Sequence, residues 1–159
     1  MINIQNSKLV KVLSILSPED LKKFKKFTKS SYFNNSQSII KLLTVLSPYH
    51  PLYDHNKCNA KSIFQKTFPD EGAYNETKLF KNMSALTKLV FTFLKVREIE
   101  IDQASEQHLL RQALIRRNNS DLFIKVANDQ LKEIDRNAIK DTSFFLQKTQ
   151  LCKLSLIHI

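Results

Sequence analysis

Three groupings of side chains have types and spacings that could do chemistry. The first is "HPLYDHNKC", where His50, His55 and Cys58 form a His-x4-His-x2-Cys arrangement with Asp54 inside it. Imidazole and thiolate are good zinc ligands, but a zinc site draws three or four of them at fixed spacings. No second cluster follows, so neither a metal nor any other cofactor is expected. The second is "EIEID", in which Glu98 and Asp102 would share a face of a helix, as an acid–base pair must. Nothing near them suggests burial or a partner base, so a solvated helix end is expected. The third is a row of amines. Lys81, Lys88 and Lys95 stand seven residues apart, with Lys78 and Asn82 near the N-terminal end of the same segment. On one helix such a row lies along one side, where it could meet phosphates spaced along a backbone or an acidic protein face. Lys22 and Lys26 in "LKKFKKF" are a lesser candidate of the same kind.

Other catalytic devices are missing. There is no Gly-x-Ser-x-Gly elbow, and a single glycine, Gly72, cannot make a glycine-rich phosphate loop. No enzyme activity and no small-molecule substrate are expected. The two cysteines give no disulfide framework and fit a reducing compartment. The longest apolar run, "LVFTFL" at 89–94, is too short to span a bilayer, and the start lacks the basic-then-apolar pattern of a signal peptide. A cytoplasmic protein is expected.

The net charge of +10 is unevenly placed. Residues 1–97 hold 16 Lys/Arg against 6 Asp/Glu, whereas residues 98–159 hold 9 of each. Such asymmetry points to an acidic partner for the first part, or to a lysine-rich surface that serves solubility. No arginine precedes Arg97, so the bidentate guanine readers of sequence-specific proteins are missing from the basic part. Contacts to nucleic acid would therefore position more than they read.

The elements that must carry these residues are helical. Scarce glycine and proline argue against many tight β-turns. A first helix is predicted over 7–16, with Leu9, Val10, Leu13 and Leu16 on one side. "SPED" then reads as a helix start: Ser17 caps, Pro18 suits the first turn, and Glu19 and Asp20 meet the positive end of the dipole. In the helix running to Lys29, Leu21, Phe24, Phe27 and Thr28 share one arc and the lysines the other. Segregation of this kind predicts core aromatics, because a base-stacking platform needs aromatics and lysines on one exposed face. Tyr32 and Phe33 are expected to fold back over this helix. Further helices are predicted over 37–46, with Ile39, Ile40, Leu43 and Leu46 inward, and over 60–68, with Ile63, Phe64 and Phe68 inward. The longest is predicted over 76–98, capped by Asn75, with Leu79, Met83, Leu86, Val90 and Phe93 as its buried stripe. Helical patterns at 103–117, 121–136 and 141–153 follow, with Ser120 and Asp141 as caps.

The expected class is all-α: a compact basic multi-helix domain over 1–97, then antiparallel helix hairpins from 98 to 153 that could open an α-solenoid. "LSLIHI", residues 154–159, resembles the translation of the transposase mosaic end used in sequencing libraries. That resemblance implies a non-native tail and a reading frame cut inside a longer protein.

Two family resemblances rest on longer stretches. "LSPEDLKKFKKFTKSSYFNN", "KSIFQKTFP" and "KLFKNMSALTKLVFTFL", within 17–94, resemble an uncharacterised family of long helical proteins seen mainly in the Bacteroidetes. The family often has a Ser-Pro-Tyr-Phe-Asn motif where this chain has Ser31, and a Lys-Leu-Arg-x-Leu-Met-Ser pattern from which Phe80 and Lys81 depart. The resemblance implies more helices downstream and no established function. Residues 37–94 are more loosely similar to the helical part of bacterial winged-helix activators: "SIIKLLTVL", "KSIFQKTFPDE" and "NETKLFKNMSALTKLV" take the places of two helices and a recognition helix. The residues themselves point to a non-enzymatic helical interaction module of unknown protein partner. The alternative is nucleic-acid binding by residues 1–97 through the lysine-rich face, in a winged-helix-like or helix-turn-helix manner.

Overall fold

Polar side chains start nearly every helix by accepting a backbone N–H that the first turn leaves without a partner. Ser7 does this for Val10 and Ser17 for Asp20, at 3.3 and 3.0 Å. Asn59 serves Ser62, and Asn75 serves Lys78, both at 2.9 Å. Asp102 accepts from Ala104 and Ser105, and Asn119 from Leu122. The predicted cap at Ser120 is thus corrected by one residue. Asn119 stands outside the helix with its amide oxygen aimed at the open N–H, whereas Ser120 is already the first helical residue.

The resulting computed structural model describes residues 4–53, 58–136 and 149. Seven α-helices and no strand occur among the described residues: α1 Lys8–Ser14, α2 Pro18–Lys29, α3 Gln37–Leu46, α4 Ala60–Thr67, α5 Glu76–Ile101, α6 Gln103–Arg116 and α7 Ser120–Arg136. Short 3₁₀ turns at Ile4–Asn6 and Ser47–Tyr49 precede α1 and follow α3. No described helix is long and apolar enough to cross a membrane. The predicted helix over 141–153, its cap Asp141, the tail 154–159, and Asp54 and His55 lie outside the described residues.

The chain divides into two compact units, Met1–Arg97 and Glu98–Ile159. In the first, five helices surround one apolar core. The predicted stripe of α5 is buried throughout, with Leu79, Leu86 and Val90 fully enclosed. Leu9, Leu13, Phe24, Leu42, Leu46, Ile63 and Phe64 reach it from the other four helices. Aromatic edges fix the pairing of α2 with α5: the Phe93 ring centroid lies 5.3 Å from Phe24 and 5.5 Å from Phe27. At the start of α2, Asp20 meets Arg97 of α5 at 3.4 Å. Residue numbers rise along one helix as they fall along its neighbour, so the two run antiparallel there.

Two inward assignments change. Tyr32 is 88% exposed; only Phe33 folds back, stacking on Phe27 with centroids 3.9 Å apart. Consecutive residues after a helix break point in different directions, and Tyr32 meets only the edge of Phe33, with centroids 5.0 Å apart. In α3, Leu42 is fully buried and Ile40 is only half-buried. The buried face of α3 is thus centred on Leu42, Leu43 and Leu46, and the helix packs against α2 and α4.

In the second unit, α6 and α7 form a hairpin turned by residues 117–119, with Asn118 in the left-handed region at φ 52°. Asparagine tolerates that conformation better than most side chains. Phe123, Ala127 and Gln130 of α7 and Arg111 of α6 are its buried members. Arg111 is 4% exposed, donates through Nη1 to the Gln130 side chain and, among the described residues, has no hydrogen bond at Nε. Gln130 in turn donates to Gln107. Among the described residues no carboxylate pairs with Arg111, and burial holds its pKa below the ordinary value.

Candidate anionic-partner interface

Lys81, Lys88 and Lys95 all lie on the exposed side of α5, opposite its buried stripe. At 1.5 Å per residue, members of the row are about 10.5 Å apart, and at 100° per residue each is turned only about 20° from the last. No described carboxylate pairs with any of the three. Three acids of the same unit are engaged elsewhere. Glu19 pairs with Lys23 at 2.8 Å, Asp20 with Arg97, and Glu71 with Lys78. The lysine at position 23 holds the Glu19 carboxyl below its ordinary pKa, and the Ser17 hydroxyl does the same for Asp20. Those carboxylates stay charged, and their charge is spent on neighbours away from the row.

Two residues expected near the row have other duties. Lys78 reaches back to Glu71 and lies 4.7 Å from the centroid of the Phe68 ring, which joins α5 to the turn after α4. Asn82 accepts the Ser38 hydroxyl at 2.7 Å and donates to the Lys78 carbonyl at 2.9 Å. It therefore ties α3 to α5 across 44 residues of sequence. Lys22 and Lys26 are exposed on α2, separated from the buried Leu21 and Phe24 as predicted.

Asp102 caps α6 and also accepts the Ser105 hydroxyl, an interaction that lowers its pKa; Glu98 is exposed. Of the His–Cys grouping, only His50 and Cys58 are among the described residues. His50 donates from Nε2 to the Leu16 carbonyl at 2.9 Å and packs edge-on against Tyr53, with centroids 6.1 Å apart. Cys58 is buried, and burial raises its thiol pKa, the opposite of an activated thiolate. No group of three metal-ligating side chains occurs among the described residues.

Sequence reasoning missed one feature beside the row. A groove of about 440 Å³ runs between the start of the chain and α5. Asn6, Ser7 and Lys8 line one side, and Phe80, Met83 and Ser84 the other. The Nζ of Lys8 lies 5.1 Å from the centroid of Phe91, one of two half-buried rings on this flank of α5. The half-polar spacing Phe80–Ser84–Phe91 was the available signal, since it falls between the buried stripe and the lysines. After α5 the chain enters the capped helix α6, where a winged helix would place a β-hairpin. No protein-family model, no curated protein and no solved structure matches the chain.

Proposed function

We propose that the chain is a non-enzymatic, all-helical interaction module whose Met1–Arg97 unit holds a nucleic-acid backbone along α5. The observation that carries this reading is the row of Lys81, Lys88 and Lys95, exposed, regularly spaced and paired with no carboxylate among the described residues. A rigid buried stripe behind the row fixes its direction, so the three amines are presented as a line. A polyanion with regularly spaced charges gains more from such a line than a compact anion does. Lysine supplies a point charge and no bidentate fork, so contact of this kind is independent of sequence. A helix-turn-helix use of α4 and α5 would present residues at the start of α5, but Lys78 and Asn82 are committed there to Glu71 and Ser38. Backbone contact along the helix needs neither.

Titration of labelled DNA and RNA at low and physiological salt tests the reading. Affinity should fall steeply with salt as condensed counterions are released. Lys81→Gln with Lys88→Gln should weaken binding to all sequences alike and flatten the salt slope by roughly one unit per lost phosphate contact. Lys22→Gln with Lys26→Gln should do less, because those side chains lie on α2. Absence of binding at low salt would discard nucleic acid and leave an acidic protein face as the partner class.

A further inference from the structure

Ser84 stands three residues after Lys81 and four before Lys88, so all three are neighbours on the surface of α5. Ser84 is also at the mouth of the groove between the chain start and α5. The groove is therefore flanked by two members of the lysine row. Its α5 side sets Phe80 and Met83 beside Ser84 and Thr87, and its other side carries Asn6, Ser7, Lys8 and Leu9. Here an aromatic ring, hydrogen-bonding side chains and cations share one exposed surface. The α2 helix lacks that combination, because it buries Phe24 and turns its lysines outward.

We infer that this groove receives one unpaired nucleobase of a single-stranded nucleic acid whose backbone lies on Lys81 and Lys88; the inference rests on reading the row as a nucleic-acid contact. Charge complementarity selects the occupant: the flanking amines want phosphates, and the Phe80 and Met83 side chains of the groove want a flat uncharged group. A nucleotide carries both. A duplex offers only its phosphates, because extruding a base costs unstacking and unpairing. An unpaired strand can turn a base inward against Phe80 at no such cost. Every base has an apolar face, so the groove adds preference for single strands without adding preference for a sequence.

The test uses the full chain, a labelled oligothymidine and a labelled hairpin duplex of matched length, at low salt. Oligothymidine should bind more tightly than the duplex. Phe80→Leu keeps apolar volume but removes the ring, and should weaken oligothymidine binding about tenfold, the scale of losing one stacked base. Ser84→Leu fills the mouth from an exposed position, where folding is undisturbed, and should give a similar loss. Both variants should leave duplex binding within about twofold of the parent, since the row supplies that binding. Equal affinity for the two probes, or oligothymidine binding unchanged in both variants, overturns the groove and leaves the row standing. Failure of the parent chain to bind either probe overturns the row, and the groove with it.

Discussion

Replacing Arg111 by methionine should make the α6–α7 hairpin more stable. A guanidinium taken out of water loses hydration, and it regains this only if a carboxylate and a full set of acceptors meet it. Arg111 is 4% exposed and, among the described residues, meets the neutral Gln130 through Nη1 and finds no hydrogen-bond partner for Nε. Methionine fills a similar elongated volume without charge. Exchange of buried ionic groups for apolar ones of like size is commonly neutral or stabilising by about 1–4 kcal/mol. Against this, the Gln130 side-chain oxygen loses its donor, at about 1 kcal/mol. The net expectation is a gain of about 0–3 kcal/mol, a midpoint shift of about 4–8 °C for each kcal/mol in a unit of this size. A second variant, Gln130→Glu, supplies a carboxylate that Arg111 lacks among the described residues. Gln107 can reverse its amide to donate to the new acid, so the network survives and gains a charge-assisted bond. Urea denaturation followed by circular dichroism reads the global change. Native-state hydrogen exchange reads the α6 and α7 amides separately. A loss of more than about 1 kcal/mol in Arg111→Met, with Gln130→Glu also destabilised, would show that the charge is already compensated and would refute the reasoning.

Two further predictions concern the Met1–Arg97 unit. Phe24→Ala empties a fully buried site against Phe93 and should cost about 3–5 kcal/mol in chemical denaturation, whereas unchanged stability would show that this face of α2 is not core. Tyr53 is fully buried and its hydroxyl has no hydrogen-bond partner among the described residues, so Tyr53→Phe should raise stability at neutral pH by about 1 kcal/mol, measured by urea titration. Burial, with the Cys58 thiol adding to it, pushes the Tyr53 pKa far above its ordinary value of 10.0, and burial also raises Cys58 above 9.0. Both groups fold best uncharged. Their contribution is complete below those ordinary values and is lost as pH rises past them, when the unfolded chain ionises first. Stability measured from neutral to alkaline pH should decline above about pH 9, and Tyr53→Phe should shallow that decline; an identical decline in the variant would remove Tyr53 from the account.

Local order in the sequence determined much of this molecule. The stripe Leu79, Met83, Leu86, Val90 and Phe93 marked α5 because burial on a helix repeats every three or four residues. Ser17 and Asn75 were legible as starts because a cap bonds within three residues of itself. Opposite placement of Phe24 and Lys22 was legible for the same reason: both positions are set by one helix's own period. Tertiary structure decided whatever depends on which helices meet. No pattern within α5 distinguishes Asn82 from an exposed contact residue; it is claimed by Ser38, 44 residues earlier. Lys78 looked like a member of the row until the turn after α4 brought Glu71 to it. Leu42 takes the core place expected of Ile40 in α3, which packs against both α2 and α4. The burial of Arg111 follows from α7 closing over α6, and the composition of α6 gives no sign of it. The groove beside Ser84 joins Asn6 and Lys8 to residues more than seventy positions away. A helix's period and its caps are written within four residues, but a surface shared by two helices exists only once the core has fixed their separation and turn.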